Sequence, residues 1–312
     1  MSAPLRLGTR RSALATAQSQ QVAADLEAVT GRAVLLVPIT TYGDTSAAAL
    51  AQIGGTGVFV SALREALLAG EVDLAVHSLK DLPTAPADGI TLAAVPRRED
   101  PRDALVARDG LGLAELPAGA RVGTGSPRRA AQLRALGFGL DVVDIRGNVD
   151  TRLRMVEEGA VDAVLLARAG LARLDRLHAI TETLDPLQML PAAGQGALAV
   201  ECRTNDPDTI ALAAALDDPA SRFTVMAERS LLAALEAGCS APVGALGEAA
   251  DPEPGSDEPE LYLRAVVSSV DGTDALRLSG TGPLHEAERV GRDLAADLLA
   301  DGAADLMESR IS

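Results

Sequence analysis

Three kinds of residue in this chain stand where side chains do chemistry. Cys239 lies in Leu235-Glu236-Ala237-Gly238-Cys239-Ser240-Ala241-Pro242-Val243-Gly244, where glycine and proline mark a tight turn between a helical run and a strand-like run. A thiol on a loop is open to nucleophilic chemistry; a small, half-buried hydrophobe is the plainer alternative. Val76-His77-Ser78-Leu79-Lys80-Asp81-Leu82-Pro83 places Ser, Lys and Asp directly after a strand. There Asp81 either pairs with Lys80 at the surface or serves as a fixed anion where positive charge develops or N–H donors need an acceptor. Arginines form the third group. Thr9-Arg10-Arg11-Ser12, Gly123-Thr124-Gly125-Ser126-Pro127-Arg128-Arg129 and Ile145-Arg146-Gly147-Asn148-Val149-Asp150-Thr151-Arg152 each run from a strand tip into a helix start. Backbone N–H groups, hydroxyls and guanidinium forks at such places bind carboxylates or phosphates. One such turn alone is a helix cap with a solvated Arg; three point to a ligand with several acidic groups.

The elements that position these residues alternate in type. Strand patterns at 5–7, 33–39, 72–76, 90–95, 121–123, 140–145 and 161–166 interleave with helical patterns at 13–29, 58–69, 126–136 and 149–157. That order predicts parallel sheets in an α/β fold. Leu7-Gly8-Thr9-Arg10-Arg11-Ser12 is echoed by Val122-Gly123-Thr124-Gly125-Ser126, and Gly70-to-Val76 by Gly159-to-Leu165, so two similar α/β domains are expected. In such folds ligands bind outside the carboxyl ends of the strands. A helical run over 223–235 leads to the Cys239 turn. Beyond the acidic stretch Asp251 to Glu260, strands over 261–270 and 275–279 and a helix over 286–299 predict a smaller α+β domain.

Composition excludes several classes. The 312 residues carry a formal charge of −16, which opposes binding to a polyanion such as nucleic acid. No apolar run approaches the roughly 18 residues of a membrane span. Met1 to Ala17 carries arginines without an apolar stretch behind them, so no secretory signal is expected. The two cysteines make no disulfide framework, which fits a cytoplasmic protein, and Cys202 reads as part of a buried strand. Three histidines without metal-ligand spacing predict no metal site, and no Walker or dinucleotide glycine fingerprint follows a strand. Lys80 is the only lysine.

Taken together, these motifs resemble those of the porphobilinogen deaminase (hydroxymethylbilane synthase) family across essentially the whole chain. The matching segments are Thr9 to Ser12, Gly54-Gly55-Thr56-Gly57-Val58-Phe59, His77 to Pro83, Arg98-Glu99-Asp100-Pro101-Arg102-Asp103, Ser126 to Arg129, Arg146-Gly147-Asn148, Pro191-Ala192-Ala193-Gly194-Gln195-Gly196-Ala197 and Gly238-Cys239. The resemblance implies two periplasmic-binding-protein-like α/β domains, over 1–96 with 197–215 and over 97–196, and a C-terminal α+β domain over 216–312. It implies a cytoplasmic, monomeric transferase that condenses four porphobilinogen units head to tail into hydroxymethylbilane, releasing ammonia, in tetrapyrrole biosynthesis. It implies a dipyrromethane cofactor held by a thioether to Cys239, with Asp81 as catalytic aspartate. Lys80, Ser126, Arg128 and Arg129, with Asp81, correspond to cofactor contacts. Arg10, Ser12, Phe59, Ser78, Arg146, Arg152, Arg173, Gln195 and Gly196 correspond to substrate contacts.

The chain departs from the family at Thr56, where lysine is common, with uncharged Gln52 nearby. A lysine contact from that loop to substrate carboxylates is therefore not expected. The loop is expected to act as a mobile lid, with Phe59 either packing near the cofactor or forming ordinary core at a helix start. A non-catalytic polycarboxylate-binding module would also fit the duplicated α/β pattern, but such a receptor needs neither the Cys239 loop nor Asp81.

Overall fold

The computed structural model describes residues 3–39, 57–237, 241–250 and 259–308. Residues Met1–Glu99 with Ala197–Arg222 make one compact unit, and Asp100–Gly196 with Phe223–Ser312 a second. In the first, strand β1 (Leu5–Thr9) buries Leu5 and Leu7 and hands the chain to helix α1 (Ala13–Thr30). The Ser12 hydroxyl oxygen accepts from the Ala15 N–H at the start of α1, and Gly31, at φ 66°, ends it in the left-handed conformation. Strands β2 (Val34–Pro38), β3 (Leu74–Ser78) and β4 (Ile90–Ala94) follow, with α2 (Gly57–Leu68) between β2 and β3. Among the described residues the sheet order is β2-β1-β3-β10-β4, where β10 is Leu198–Arg203.

The second unit repeats this plan. Strands β5 (Asp103–Ala107), β6 (Arg121–Gly123), β7 (Asp141–Val143), β8 (Ala163–Ala167) and β9 (Glu182–Thr183) form a sheet of order β7-β6-β8-β5-β9 among the described residues. Helix α3 (Pro127–Ala135) follows β6, α4 (Val149–Glu157) follows β7 and α5 (Arg168–Arg173) follows β8. Alternate residues of β5 and β8 join two different cores: Leu105 and Leu165 on one face, Val106, Val164 and Leu166 on the other. Burial on both faces explains why these strands read as continuous apolar runs.

The echo in the sequence is thus an echo in topology, but the expectation of parallel sheets needs correction. β1 pairs in parallel with β2 and β3, and β6 with β7 and β8, whereas β10 is antiparallel to β3 and β4, and β5 to β8 and β9. The physical reason lies in the connections. A parallel neighbour requires a crossover, usually a helix, and no α-helix precedes β5 or β10 immediately. Cys202 is fully buried in β10, as its pattern suggested, and burial pushes its thiol up to about 11.

After α6 (Pro207–Ala214) and α7 (Pro219–Ala234), a third sheet forms from β11 (Val243–Ala250), β12 (Glu260–Ser268) and β13 (Ala275–Pro283), all antiparallel. Helices α8 (Ala287–Ala300) and α9 (Ala303–Glu308) complete it. Ala227 and Leu231 of α7, Leu261 and Leu263 of β12, and Leu294 and Leu298 of α8 share its core. This is the small α+β element expected from the sequence, with α7 starting four residues and β13 ending four residues beyond their sequence-based limits.

One buried ion cluster ties the first unit together. Glu201 on β10 accepts from Arg64 Nε and Nη2 of α2 at 3.0 and 2.7 Å, and its Oε2 lies 3.3 Å from His77 Nε2 on β3. Burial alone would raise the Glu201 pKa, but His77 beside it and the bonds from Arg64 reverse this and hold it at about 2, against an ordinary 4.5. A depressed carboxyl pKa contributes stability above the unfolded value and loses it as pH falls through the folded value. Glu201 is therefore expected to contribute about 3 kcal/mol at neutral pH, lost between about pH 4.5 and 2. Urea unfolding of Glu201→Gln should show a lower midpoint at pH 7 and a shallower fall in acid; parallel pH curves for the two proteins would refute this.

Candidate functional site

In the first unit, neighbouring strands β1 and β3 bring two of the expected groups to one end of the sheet. The pairing Leu7↔Leu74 and Gly8↔Ala75 aligns the strands in parallel, so Arg10 and Ser12 follow β1 beside the place where Ser78 ends β3 and Lys80 and Asp81 follow it. Asp81 closes a 3-10 turn, Leu79–Asp81. Leu79 is fully buried and Leu82 is 5% exposed, which pins the turn on both sides of Lys80 and Asp81. The Leu79 N–H donates to the Ala197 carbonyl at 3.0 Å, and the Leu82 N–H to the Leu79 carbonyl at 3.1 Å. Lys80 and Asp81 remain half-exposed. Buried Gln18 on α1 donates through Nε2 to Ser78 Oγ at 2.8 Å, a bond across 60 residues that no local pattern announces. Ser12 is engaged as the α1 cap, and Arg10 is half-buried.

The second unit places Ser126, Arg128, Arg129, Arg146 and Arg152 after the parallel strands of its own sheet. The Ser126 hydroxyl oxygen accepts from the Arg129 N–H, capping α3 behind Pro127. The sequence reading has Arg128 and Arg129 offer two guanidinium groups to a carboxylate or phosphate. The structure instead buries both, at 3% and 5% exposure, around the fully buried Asp103. Asp103 Oδ1 accepts from Arg129 Nε (3.0 Å), Arg129 Nη2 (2.7 Å) and Gln195 Nε2 (2.8 Å), while Oδ2 lies 2.8 Å from Arg128 Nη2. Arg129 Nη1 donates to the Leu165 carbonyl, and Arg128 Nη1 to the Leu190 carbonyl. Arg128 Nε is buried without a partner among the described residues. Burial would raise the Asp103 pKa; the guanidinium groups of Arg128 and Arg129, with the Gln195 amide, hold it far below the ordinary carboxylate range.

Sequence reasoning missed Asp103 as a site residue. Its signal was an acid opening a strand whose residues are all apolar, Ala104 to Ala107. Because β5 is antiparallel to β8, with Asp103 opposite Ala167, the strand's first residue arrives where β8 ends.

Around this cluster the other arginines differ in environment. Arg146 is exposed and 3.1 Å from Asp144, itself exposed. Arg152 is half-buried and donates through Nε to the Gly147 carbonyl at 3.0 Å. Its pKa is lowered, first by burial and then by the charges of Arg129 and Arg146, with Asp144 opposing. A cation penalised in this way gains most from an incoming anion. Gly125 lies beside it: a Cβ there would sit 2.7 Å from the Ile145 carbonyl oxygen and 3.7 Å from Arg152 Nη2. Arg173 Nη2 donates to the Gly196 carbonyl at 2.7 Å, and Gly194 and Gly196 hold positive φ of 72° and 88° around Gln195. Cys239, Gln52, Thr56 and the side chain of Phe59 lie outside the described residues.

Comparison with known proteins fits this inventory. Residues 5–211 match the porphobilinogen deaminase dipyromethane cofactor binding domain, and residues 222–300 the porphobilinogen deaminase C-terminal domain. Porphobilinogen deaminase 1 of Streptomyces coelicolor is 60% identical over 315 residues, spanning 98% of each protein. Porphobilinogen deaminase of Mycobacterium tuberculosis is 56% identical over 305 residues, spanning 97% of this chain and 98% of that one. Among solved structures, a periplasmic substrate-binding protein of an ABC transporter from Coxiella burnetii aligns with 70% of this chain and 94% of its own, at 16% identity and a TM-score of 0.44. Two family-specific domains matched in order, with high identity over nearly the full length, make this chain a member of the porphobilinogen deaminase family.

Proposed function

We propose that the chain joins four porphobilinogen molecules head to tail into hydroxymethylbilane, releasing ammonia at each step, with Cys239 anchoring the dipyrromethane cofactor and Asp81 as the catalytic carboxylate. Family membership supports the transferase reaction and the cofactor. The observation that carries the residue roles is the pinning of Lys80 and Asp81 at the end of β3, with Ser78 held by Gln18.

Each pyrrole of cofactor and substrate brings an acetate and a propionate, so bound carboxylates need matched cations. The residues present fit that demand. Arg152 is half-buried among other cations, Arg146 is exposed, and Gly125 leaves bare backbone where a Cβ would collide with a carbonyl. Ser126, Arg128, Arg129 and Lys80 are assigned to the cofactor; Arg10, Ser12, Ser78, Arg146, Arg152, Arg173, Gln195 and Gly196, with Phe59, are assigned to the substrate. Arg128 and Arg129 act as a fixed source of field. Two guanidinium groups against the single Asp103 carboxylate leave one net positive charge under the start of α3.

When bound, the dipyrromethane supplies the nucleophilic pyrrole carbon on which the product grows. Asp81 answers the charge that appears on the substrate. Loss of ammonia from the aminomethyl arm leaves positive charge on the porphobilinogen ring, and its N–H becomes more acidic. A carboxylate fixed to accept that N–H stabilises the transition state more than the ground state. A non-catalytic polycarboxylate receptor would account for the arginines and leave Asp81 and Cys239 without a task.

We further place the protein in the cytoplasm as a monomer without nucleic-acid or membrane partners. The −16 charge opposes binding to a polyanion such as nucleic acid. No helix among the described residues is long and apolar enough to cross a membrane.

Intact mass should exceed the chain mass by two linked pyrrole units, with a positive Ehrlich reaction. Cys239→Ser should lack the adduct, while Asp81→Asn should keep it and lose turnover by about a hundredfold or more. Wild-type turnover in Asp81→Asn would remove that residue from the mechanism. Asp103→Ala should cost roughly 3–5 kcal/mol in urea unfolding because two buried guanidinium groups lose their counter-ion. Arg146→Ala, whose pair is exposed, should cost under about 1 kcal/mol. Equal effects of the two substitutions would contradict the assignment of the buried cluster.

A further inference from the structure

We propose that Glu228 is a positioning residue that holds the Ala193–Gly196 turn, and through it Gln195, in the conformation that binds substrate. The inference rests on the assignment of Gln195 as a substrate contact. Glu228 lies on α7 and is fully buried. Its two carboxylate oxygens accept from two backbone N–H groups on separate segments: Oε2 from Gly194 at 2.6 Å, and Oε1 from Gly247 of β11 at 2.8 Å. The same carboxylate therefore fastens the turn to the third sheet.

The turn needs such a fastener. Gly194 and Gly196 flank Gln195 with φ of 72° and 88°, a conformation that glycine also leaves readily. On its N-terminal side the segment is already fixed. The Leu190 N–H donates to Gln132 Oε1, the Leu190 carbonyl accepts from Arg128 and Gln132, and the Pro191 carbonyl accepts from the Ala245 N–H. On its C-terminal side Arg173 holds the Gly196 carbonyl. Glu228 supplies the acceptor between these points. With Gly194 held, Gln195 Nε2 reaches both Asp103 Oδ1 and the Pro101 carbonyl, at 2.8 and 2.7 Å.

A carboxylate is a costly choice for this place. Ala227 and Leu231, its helix neighbours, are fully buried apolar residues. Only an acid presents two acceptor oxygens from one side chain without also presenting a donor. α7 also runs on to the cysteine loop: Glu236 takes φ 51° and the Ala237 N–H donates to the Leu232 carbonyl, immediately before 238–240. One helix thus fixes the Gln195 turn and leads the chain to the proposed cofactor anchor.

The test uses full-length cofactor-loaded enzyme carrying Glu228→Gln, Gln195→Ala or both. Gln at 228 keeps the shape but replaces one acceptor oxygen with a donor that opposes an N–H. KM for porphobilinogen should rise roughly tenfold in Glu228→Gln, more than kcat falls, with the adduct retained by intact mass. The double variant should have a KM no higher than the worse single variant, because both changes act through the same turn. An unchanged KM, multiplying effects in the double variant, or a loss confined to melting temperature would overturn the proposal. Wild-type KM in Gln195→Ala would instead overturn the assignment of Gln195, and the two failures are told apart by which single variant is silent. If Glu228→Gln does not fold, amide exchange of the wild-type enzyme decides. Gly194 should be protected like the interior of α7; exchange at the rate of an open loop would overturn the role.

Discussion

Two guanidinium groups cannot be buried side by side without an anion, and Asp103 is the anion that makes this arrangement possible. Arg128 and Arg129 repel one another, and each loses most of its hydration at 3% and 5% exposure. The carboxylate at the head of β5 meets both, and carbonyls of Leu165 and Leu190 take remaining N–H groups. The consequence reaches beyond those residues. The cluster fixes the first turn of α3 against the start of β5 and the Gln195 turn, so three segments distant in sequence share one geometry. It also leaves a surplus cation beside Arg152, whose own pKa is lowered by burial and by Arg129 and Arg146. The site of this unit is thereby charged in advance of any ligand, which is the condition under which carboxylate binding needs little rearrangement.

The two α/β sheets reach their polar ends by the same device. In each, a central pair of parallel strands ends in a polar turn, and an antiparallel strand begins beside that end. Asp103 opens β5 opposite Ala167 at the end of β8; Leu198 opens β10 opposite Ser78 at the end of β3. An antiparallel neighbour delivers the start of another segment to the carboxyl ends of the parallel strands. That adds Asp103 in one sheet and the Ala197 carbonyl, which accepts from Leu79, in the other. In a wholly parallel sheet both would lie at the opposite end of the strands.

Much of this was legible in the sequence wherever the signal is local. Strand-to-turn-to-helix transitions at Thr9, Gly123 and Ile145 were readable from glycine, hydroxyl and arginine spacing, and the paired echoes anticipated two sheets of one topology. Cys202 read as buried and is. What was not legible depends on partners far apart in the chain. Asp103 meets Arg129 across 26 residues, Gln18 meets Ser78 across 60 and Glu228 meets Gly194 across 34. No periodicity encodes such pairs. The same gap hides the partner of Arg128 and Arg129: the sequence shows the cations at a helix start but not the acid opposite them. β5 is not among the strands legible in the sequence, and the antiparallel direction of β10 is not legible either, because direction follows from the connection and not from the strand's own residues.

The claim that a permanently ionised Asp103 organises this site can be measured directly by following its side-chain carboxyl with carbon-13 NMR as pH is lowered. The chemical shift should stay at the ionised value through pH 3.8, the ordinary value for this group, until the protein unfolds. A titration step near that pH in the folded protein would contradict the account.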